Sequence, residues 1–318
     1  MNEAALRIGL DVGGTKIAGI AVDGAGITRA EVRIPTGWGS DAVIRGILTA
    51  VTGLRHDLGH GSGGIRSIGI GVPGLVDADG GRVLHAVNLG VESLQIARIV
   101  AEATGVRCFV ENDVKAAALG AAALRRVTEP MAYLNLGTGV AAGLVIDGRI
   151  WRGARGTAGE VGHLVVDPDG RECGCGQRGC IESLCGGGAL ARAWGRESAL
   201  PVKDILDAAD AGDALAGRLR EDLFRGAAAA VRALVLTADV ETVIIGGGLT
   251  ALAERIEPGI RRALRDDAGA SPFLQSLRLD ERIEILPAAS PVAALGAALL
   301  GTAAVSATAQ EEEIIVHG

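Results

Sequence analysis

A chain of 318 residues with 48% apolar content has enough material for two α/β domains or one large one. Its net charge of −7 and 2% aromatic content exclude a basic, base-stacking nucleic-acid surface. No apolar run reaches the length of a membrane span, and the opening MNEAALRIGLDVGGTK lacks a basic-then-apolar signal layout. A cytoplasmic protein without nucleic-acid or membrane partners is therefore expected.

Leu6–Asp11 and Lys16–Val22 are apolar runs around Val12-Gly13-Gly14-Thr15, the pattern of strand, tight turn, strand. Ile27–Ile34 predicts a third strand. Ser40–Leu58 has apolar residues at helical spacing (Val43, Ile47, Leu48, Val51, Leu54, Leu58), with Ser40 as N-cap. Ile65–Val72 predicts a buried strand, Leu75–Val87 a small hairpin, Ser93–Thr104 a helix, Arg107–Val110 a strand and Val114–Leu124 an Ala-rich helix. The opening then recurs: Leu10–Gly24 lies over Leu134–Gly148 without a gap, with identities at Leu10/Leu134, Gly13/Gly137, Ala18/Ala142, Gly19/Gly143, Asp23/Asp147 and Gly24/Gly148. Two copies of one βββ unit imply two related α/β domains. Helices are expected over Gly188–Glu197, Val202–Ala209 and Asp213–Ala238. Thr242–Ile245 predicts a strand, then Gly246-Gly247-Gly248 and a helix to about Leu264. Arg282–Leu286 predicts the last strand, and Pro291–Ala304 a small-residue helix packed back on the first domain. The tail from Gln310 is expected to fray. The first domain is placed at 1–112, joined by the helix of about 290–304, and the second at 113–289.

The turns Asp11-Val12-Gly13-Gly14-Thr15-Lys16 and Asn135-Leu136-Gly137-Thr138-Gly139 read either as plain hairpins or as a pair of anion cradles. Glycine lets backbone N–H groups approach a phosphate, and Thr15 and Thr138 add hydroxyls. Lys16 reads equally as a phosphate contact or a solvated lysine, and Asp11 as a water-mediated magnesium ligand. Gly246-Gly247-Gly248, between strand and helix, lets a ring or phosphate lie against the backbone. Glu111-Asn112-Asp113 stands where a strand gives way to a helix. Its Asn or Asp reads as an N-cap, or its carboxylate as a base at the carboxyl end of a strand. Between Gly156 and Glu182, His163, Cys173, Cys175 and Cys180 form a Cys₃His set suited to tetrahedral zinc. Four protein ligands leave no open position, so that zinc is structural. A run of free thiols is the alternative, and a Cys173–Cys175 disulfide would be strained. Cys108 and Cys185 read as small buried residues.

Together, DVGGTKIAGI (11–20), GVPG (71–74), NL (88–89), ENDVKAAALG (111–120), NLGTGVAAGLVIDG (135–148), GTAGEVGHLVV (156–166), CGCGQRGCIES (173–183) and IIGGG (244–248) resemble the ROK family of bacterial sugar kinases. The resemblance implies two related actin-like ATPase (ribonuclease H-like) domains with a cleft between them. It implies ATP-dependent phosphorylation of a hexose at its 6-hydroxyl, with glucose the leading substrate. N-acetylglucosamine, N-acetylmannosamine, fructose and mannose are alternatives; a non-catalytic sugar sensor lacking its DNA-binding domain is one of another class. By the same resemblance Asp113 is the catalytic base and, with Asn112, a sugar contact. Glu160, His163 and Glu182 are ligands of sugar hydroxyls, with Asn88 and Gly71 as further contacts. Gly13, Gly14, Thr15, Lys16, Gly137, Thr138 and Gly139 hold ATP phosphates with Mg²⁺ at Asp11, and Gly246, Gly247 and Gly248 lie near the adenosine. His163, Cys173, Cys175 and Cys180 match the family's zinc motif, and a homo-oligomer, dimer or tetramer, is implied. The chain departs from the pattern at Lys115, where many members have Asn, and at Val91, where a Trp is common.

Overall fold

The opening apolar runs pair as their alternation dictates, β1 (Leu6–Val12) antiparallel to β2 (Lys16–Val22), and β2 antiparallel to β3 (Thr28–Pro35). The structure is a computed structural model that describes residues 6–59 and 64–302. The tail from Gln310, and the end of the helix expected to reach Ala304, lie outside the described residues. The chain forms two compact units. The first comprises the residues up to Val127, Gly148–Thr157 and those from Pro291; the second comprises Thr128–Asp147 and Ala158–Ser290.

In the first unit the sheet order is β3-β2-β1-β4-β8, with β4 (Ile65–Val72) parallel to both β1 and β8 (Cys108–Asn112). One face is covered by α1 (Ser40–Leu58), which buries Val43, Ile47, Ala50, Val51 and Leu54 against Ile8, Leu10 and Ile17. Ser40 is the first residue of α1 and makes no cap hydrogen bond. Gly39, at φ +87°, is the N-cap, a backbone value that serine adopts only with strain. After β4 come β5 (Leu75–Asp77), β6 (Arg82–Ala86) and β7 (Val91–Leu94) as a small antiparallel sheet. The expected helix from Ser93 therefore begins later, as α2 (Ile96–Thr104). Val91 is buried and pairs with Ala86, so the chain leaves Gly90 as a strand.

Helix α3 (Asp113–Arg125) and the helix over residues 292–302 lie against each other and against the sheet without intervening side chains. A Cβ on Gly9 would overlap the Ala294 carbonyl, one on Gly69 that of Ala297, one on Gly120 that of Val292, and one on Gly296 that of Ala116. The short strand β11 (Arg149–Trp151) belongs to this unit too, packing Ile150 with Leu119 and Leu300.

In the second unit β10 (Val140–Ile146), β9 (Met131–Leu136), β12 (Thr242–Gly246) and β13 (Ile283–Ile285) lie side by side in that order. β9 pairs antiparallel with β10 and parallel with β12. The core packs these strands against α4 (Ile181–Cys185), α5 (Gly187–Trp194), α6 (Pro201–Asp210), α7 (Ala214–Ala238) and α8 (Ala253–Ala268), with α9 (Pro272–Leu277) adding half-buried Leu277. Asp213 caps α7, its Oδ1 accepting from Leu215 N at 2.9 Å and Ala216 N at 3.0 Å.

The repeat holds with one correction. In the first hairpin Leu10 faces Gly19, but in the second Leu134 faces Ala142 rather than Gly143. The second turn is one residue shorter: Gly13 N donates to Lys16 O at 2.9 Å, whereas Gly137 N donates to Gly139 O at 3.1 Å. The gap-free overlay is therefore out of register beyond the glycines, and its later identities stand at non-equivalent ladder positions.

Candidate active site and metal centre

Strands β1, β4 and β8 are parallel, so their carboxyl ends share one edge of the first sheet. Asp11 pairs with Gly71 and Gly71 with Glu111, making one row across three strands. Buried Gly71 leaves room beside the start of α3, since a Cβ there would lie 3.4 Å from Asp113 Cα. The cap reading of the polar triplet is the one its hydrogen bonds show. Asn112 is the N-cap, its Oδ1 accepting from Val114 N and Lys115 N at 3.1 Å while its Nδ2 donates to Gly74 O at 3.2 Å. Asp113 is the first helical residue, and its Oδ1 accepts from Val114 N at 2.9 Å.

Burial raises the Asp11 carboxyl to about 6, helped by the Asp113 charge and opposed by Lys16. Two carboxylates repelling in a partly desolvated place make a site that favours a cation. Gly13 is half-buried, and Gly14, Thr15 and Lys16 are exposed. A Cβ on Gly14 would come 2.8 Å from the carbonyl of exposed Asn88, so turn and Asn88 are neighbours.

One contact here has no signal in any motif. Buried Glu111 accepts from Asn112 N at 2.9 Å and, through its other oxygen, from Arg152 Nε at 2.6 Å. Arg152 comes from the returning segment Gly148–Thr157, far away in sequence.

In the second unit the predicted residues gather around the start of β10. Val140 N donates to Glu182 Oε2 at 2.9 Å, and Ala142 N to Gly159 O at 2.7 Å. Glu160 and His163 bracket a single 3₁₀ turn that follows, with His163 N donating to Glu160 O at 3.2 Å. The turn Gly137-Thr138-Gly139 is held from two flanks, with Thr138 itself exposed. Gly187 N donates to Gly137 O at 2.8 Å and Gly188 N to Thr138 O at 2.9 Å, donors the motifs did not point to. Gly247, at φ +92°, packs on the turn's other flank, where a Cβ would lie 2.5 Å from Leu136 O. Gly246 is buried, and Gly248 is exposed and opens a 3₁₀ turn leading into α8.

The ligand atoms of His163, Cys173, Cys175 and Cys180 all lie within 4.8 Å of one another. Cys175 Sγ is 3.7 Å from Cys180 Sγ, and Cys173 Sγ is 3.8 Å from His163 Nδ1. Tetrahedral zinc with bonds of about 2.3 Å to sulfur sets sulfurs about 3.8 Å apart, so the set fits that ion. Hydrogen bonds from Gln177 pull the Cys175 thiol down to about 6, while burial pushes Cys180 up to about 12. The backbone holds this geometry: Cys173 N donates to Gln177 O at 2.8 Å, and Ile181 N to Leu164 O at 2.9 Å. Cys185 is fully buried, while Cys108 is half-buried rather than buried, being at the start of β8.

Among the described residues, no helix is long and apolar enough to cross a membrane. The sequence profile of the ROK family matches residues 7–300. The chain is 33% identical over 281 residues to a glucokinase of Streptomyces coelicolor, covering 82% of this chain and 87% of the relative. It is 31% identical over 274 residues to an N-acetylmannosamine kinase of Yersinia pseudotuberculosis, covering 80% and 90%. The crystal structure of a ROK family glucokinase from Streptomyces griseus in complex with glucose and AMPPNP superposes with a TM-score of 0.76 at 30% identity, covering 93% of this chain and 99% of that one.

Proposed function

The chain belongs to the ROK family of sugar kinases, and on that premise we propose that it transfers the γ-phosphoryl group of ATP to the 6-hydroxyl of glucose. Its two units are the actin-like ATPase domains of that family. The observation that carries the chemical reading is the placement of Asp113. It opens α3 at the carboxyl edge of the sheet, beside the Asn112 cap and the side-chain-free Gly71.

Phosphoryl transfer asks the protein for position and charge rather than covalent chemistry. Asp113 takes the proton of the attacking hydroxyl, a step worth about 10²–10⁴-fold. Asn112 keeps its Oδ1 on the helix cap and one Nδ2 hydrogen on Gly74 O, and its other amide hydrogen binds a sugar hydroxyl. Asn88 and the backbone at Gly71 bind further hydroxyls. Glu160, His163 and Glu182 bind the rest, all three fixed around the start of β10. His163 turns Nδ1 toward the thiols, which leaves its second nitrogen for a hydroxyl. The backbone N–H groups and hydroxyls of Gly13–Lys16 and Gly137–Gly139 receive the phosphates, and Gly246–Gly248 the adenosine side. Magnesium, when bound, supplies charge neutralisation at the phosphates; Asp11 is the residue that would hold it through water. The Cys₃His set would hold zinc, which supplies rigidity to the segment bearing Glu160 and Glu182.

The relation to an N-acetylmannosamine kinase supports a second acceptor of the same class. ADP release measured with ATP across glucose, mannose, fructose, N-acetylglucosamine and N-acetylmannosamine separates them. Glucose should give the highest kcat/KM. A preference for an N-acetyl sugar would transfer the assignment, and no turnover with any of the five would end the kinase reading.

A further inference from the structure

We propose that Trp38 is a specificity-determining residue, an aromatic wall that receives the C–H face of the acceptor sugar. The inference rests on the sugar-kinase reading above and adds a residue that no motif contains. Trp38 lies in the loop Thr36–Gly39 between β3 and α1. Because β3 is antiparallel to β2, and β2 to β1, this loop leaves the sheet at the same carboxyl edge as Asp11 and Asp113.

Three contacts fix it there. Thr36 Oγ1 donates to Gly13 O at 2.6 Å, Thr36 N donates to Thr15 O at 3.2 Å, and Gly39 N donates to Leu89 O at 2.8 Å. The loop thus spans the phosphate turn on one side and the Asn88 segment on the other. Its indole lies on the backbone of Gly90, at φ +65°. A Cβ on that residue would fall 2.6 Å from Cε2 and Nε1, so the lack of a side chain is what admits the ring.

Despite this anchorage Trp38 is 70% exposed, and Val87, just before Asn88, is 77% exposed. A tryptophan seated on backbone and otherwise left in water has no core role. In a chain with 2% aromatics, one held at the edge of the candidate site is informative. The chemistry it would recognise is the apolar face of a pyranose, whose ring C–H groups pack on an aromatic plane while its hydroxyls find the polar groups.

The test uses the intact enzyme and whichever sugar the panel selects. Trp38→Ala should raise KM for the sugar about tenfold, a size typical of one aromatic contact, with kcat and KM for ATP nearly unchanged. Trp38→Phe should restore most of the affinity. Sugar binding to the ATP-free protein, followed by calorimetry, should weaken in parallel, and tryptophan fluorescence should respond to sugar in the parent but much less in Trp38→Phe. An unchanged sugar KM in a folded Trp38→Ala variant overturns the proposal. So does a variant whose only defect is an altered sedimentation coefficient, which would make the ring a self-association contact. A panel in which no sugar is phosphorylated defeats the kinase reading instead, so the two failures are distinguishable.

Discussion

The two glycine turns carry nearly the same sequence signal and differ in how they are tied. Gly13–Lys16 is largely open, tied at its base by Thr36 and presenting Gly14, Thr15 and Lys16 to solvent. Gly137–Gly139 is walled in by Gly187 N, Gly188 N and Gly247, with Glu182 on the next amide. The first turn is tied at its base alone; the second is the hub of a hydrogen-bonded assembly that also holds the metal segment, with Thr138 left exposed. Substitutions in the first should therefore change chemistry at nearly constant stability, and those in the second should change stability first.

The largest expected effect is on the chemical side. Asp113→Ala should lower kcat by about 10²–10⁴-fold while the unfolding midpoint scarcely moves. Near-normal turnover in the folded variant would remove Asp113 as base. On the framework side, Cys175→Ser or metal stripping should lower the thermal midpoint and raise the sugar KM together, with metal analysis of fresh protein finding about one zinc per chain. A stripped enzyme with an unchanged KM would uncouple the segment from the sugar.

The comparison sharpens within the glycines. Gly247→Ala forces a Cβ against Leu136 O at φ +92°, a strain of about 1–3 kcal/mol. Gly13→Ala meets only Lys16 O at 3.4 Å and should fold normally. Equal denaturation midpoints for the two variants would break the distinction.

One expected effect is a gain. The Asp11 carboxyl is raised to about 6 in the fold, so between about pH 4 and 6 the folded state binds more protons than the unfolded one. Its penalty is absent below about pH 4, grows as pH rises through 6, and is full above. Asp11→Asn removes it, so the ligand-free variant should be more stable than the parent by on the order of 3 kcal/mol at pH 8, and equal near pH 4. Activity should fall all the same.

Local patterns were the legible part of the sequence. Lys16–Val22 and Ile65–Val72 match their strands to the residue, and Ser40–Leu58 its helix apart from the cap, because each is a long periodic run with a turn at its end. The metal set was readable because three of its four ligands fall within eight positions. What was not legible depends on residues distant in sequence. Val91–Leu94 is too short to declare itself a strand before β6 pairs with it. The one-residue difference between the two hairpins is visible only in the ladder. Arg152 on Glu111, the Gly187 and Gly188 donors, and Trp38 on Gly90 are contacts that no single stretch encodes.

The helix over residues 292–302 has a consequence for synthesis. Its carbonyls pack directly on Gly9, Gly69 and Gly120, so the first unit cannot complete its packing until these late residues are made. All of the second unit's residues precede Pro291. On a chain emerging amino end first, the unit that begins the sequence is thus the last to be finished. Until then, the small-residue face of its sheet waits uncovered, and that interval is when the nascent protein most needs protection from aggregation.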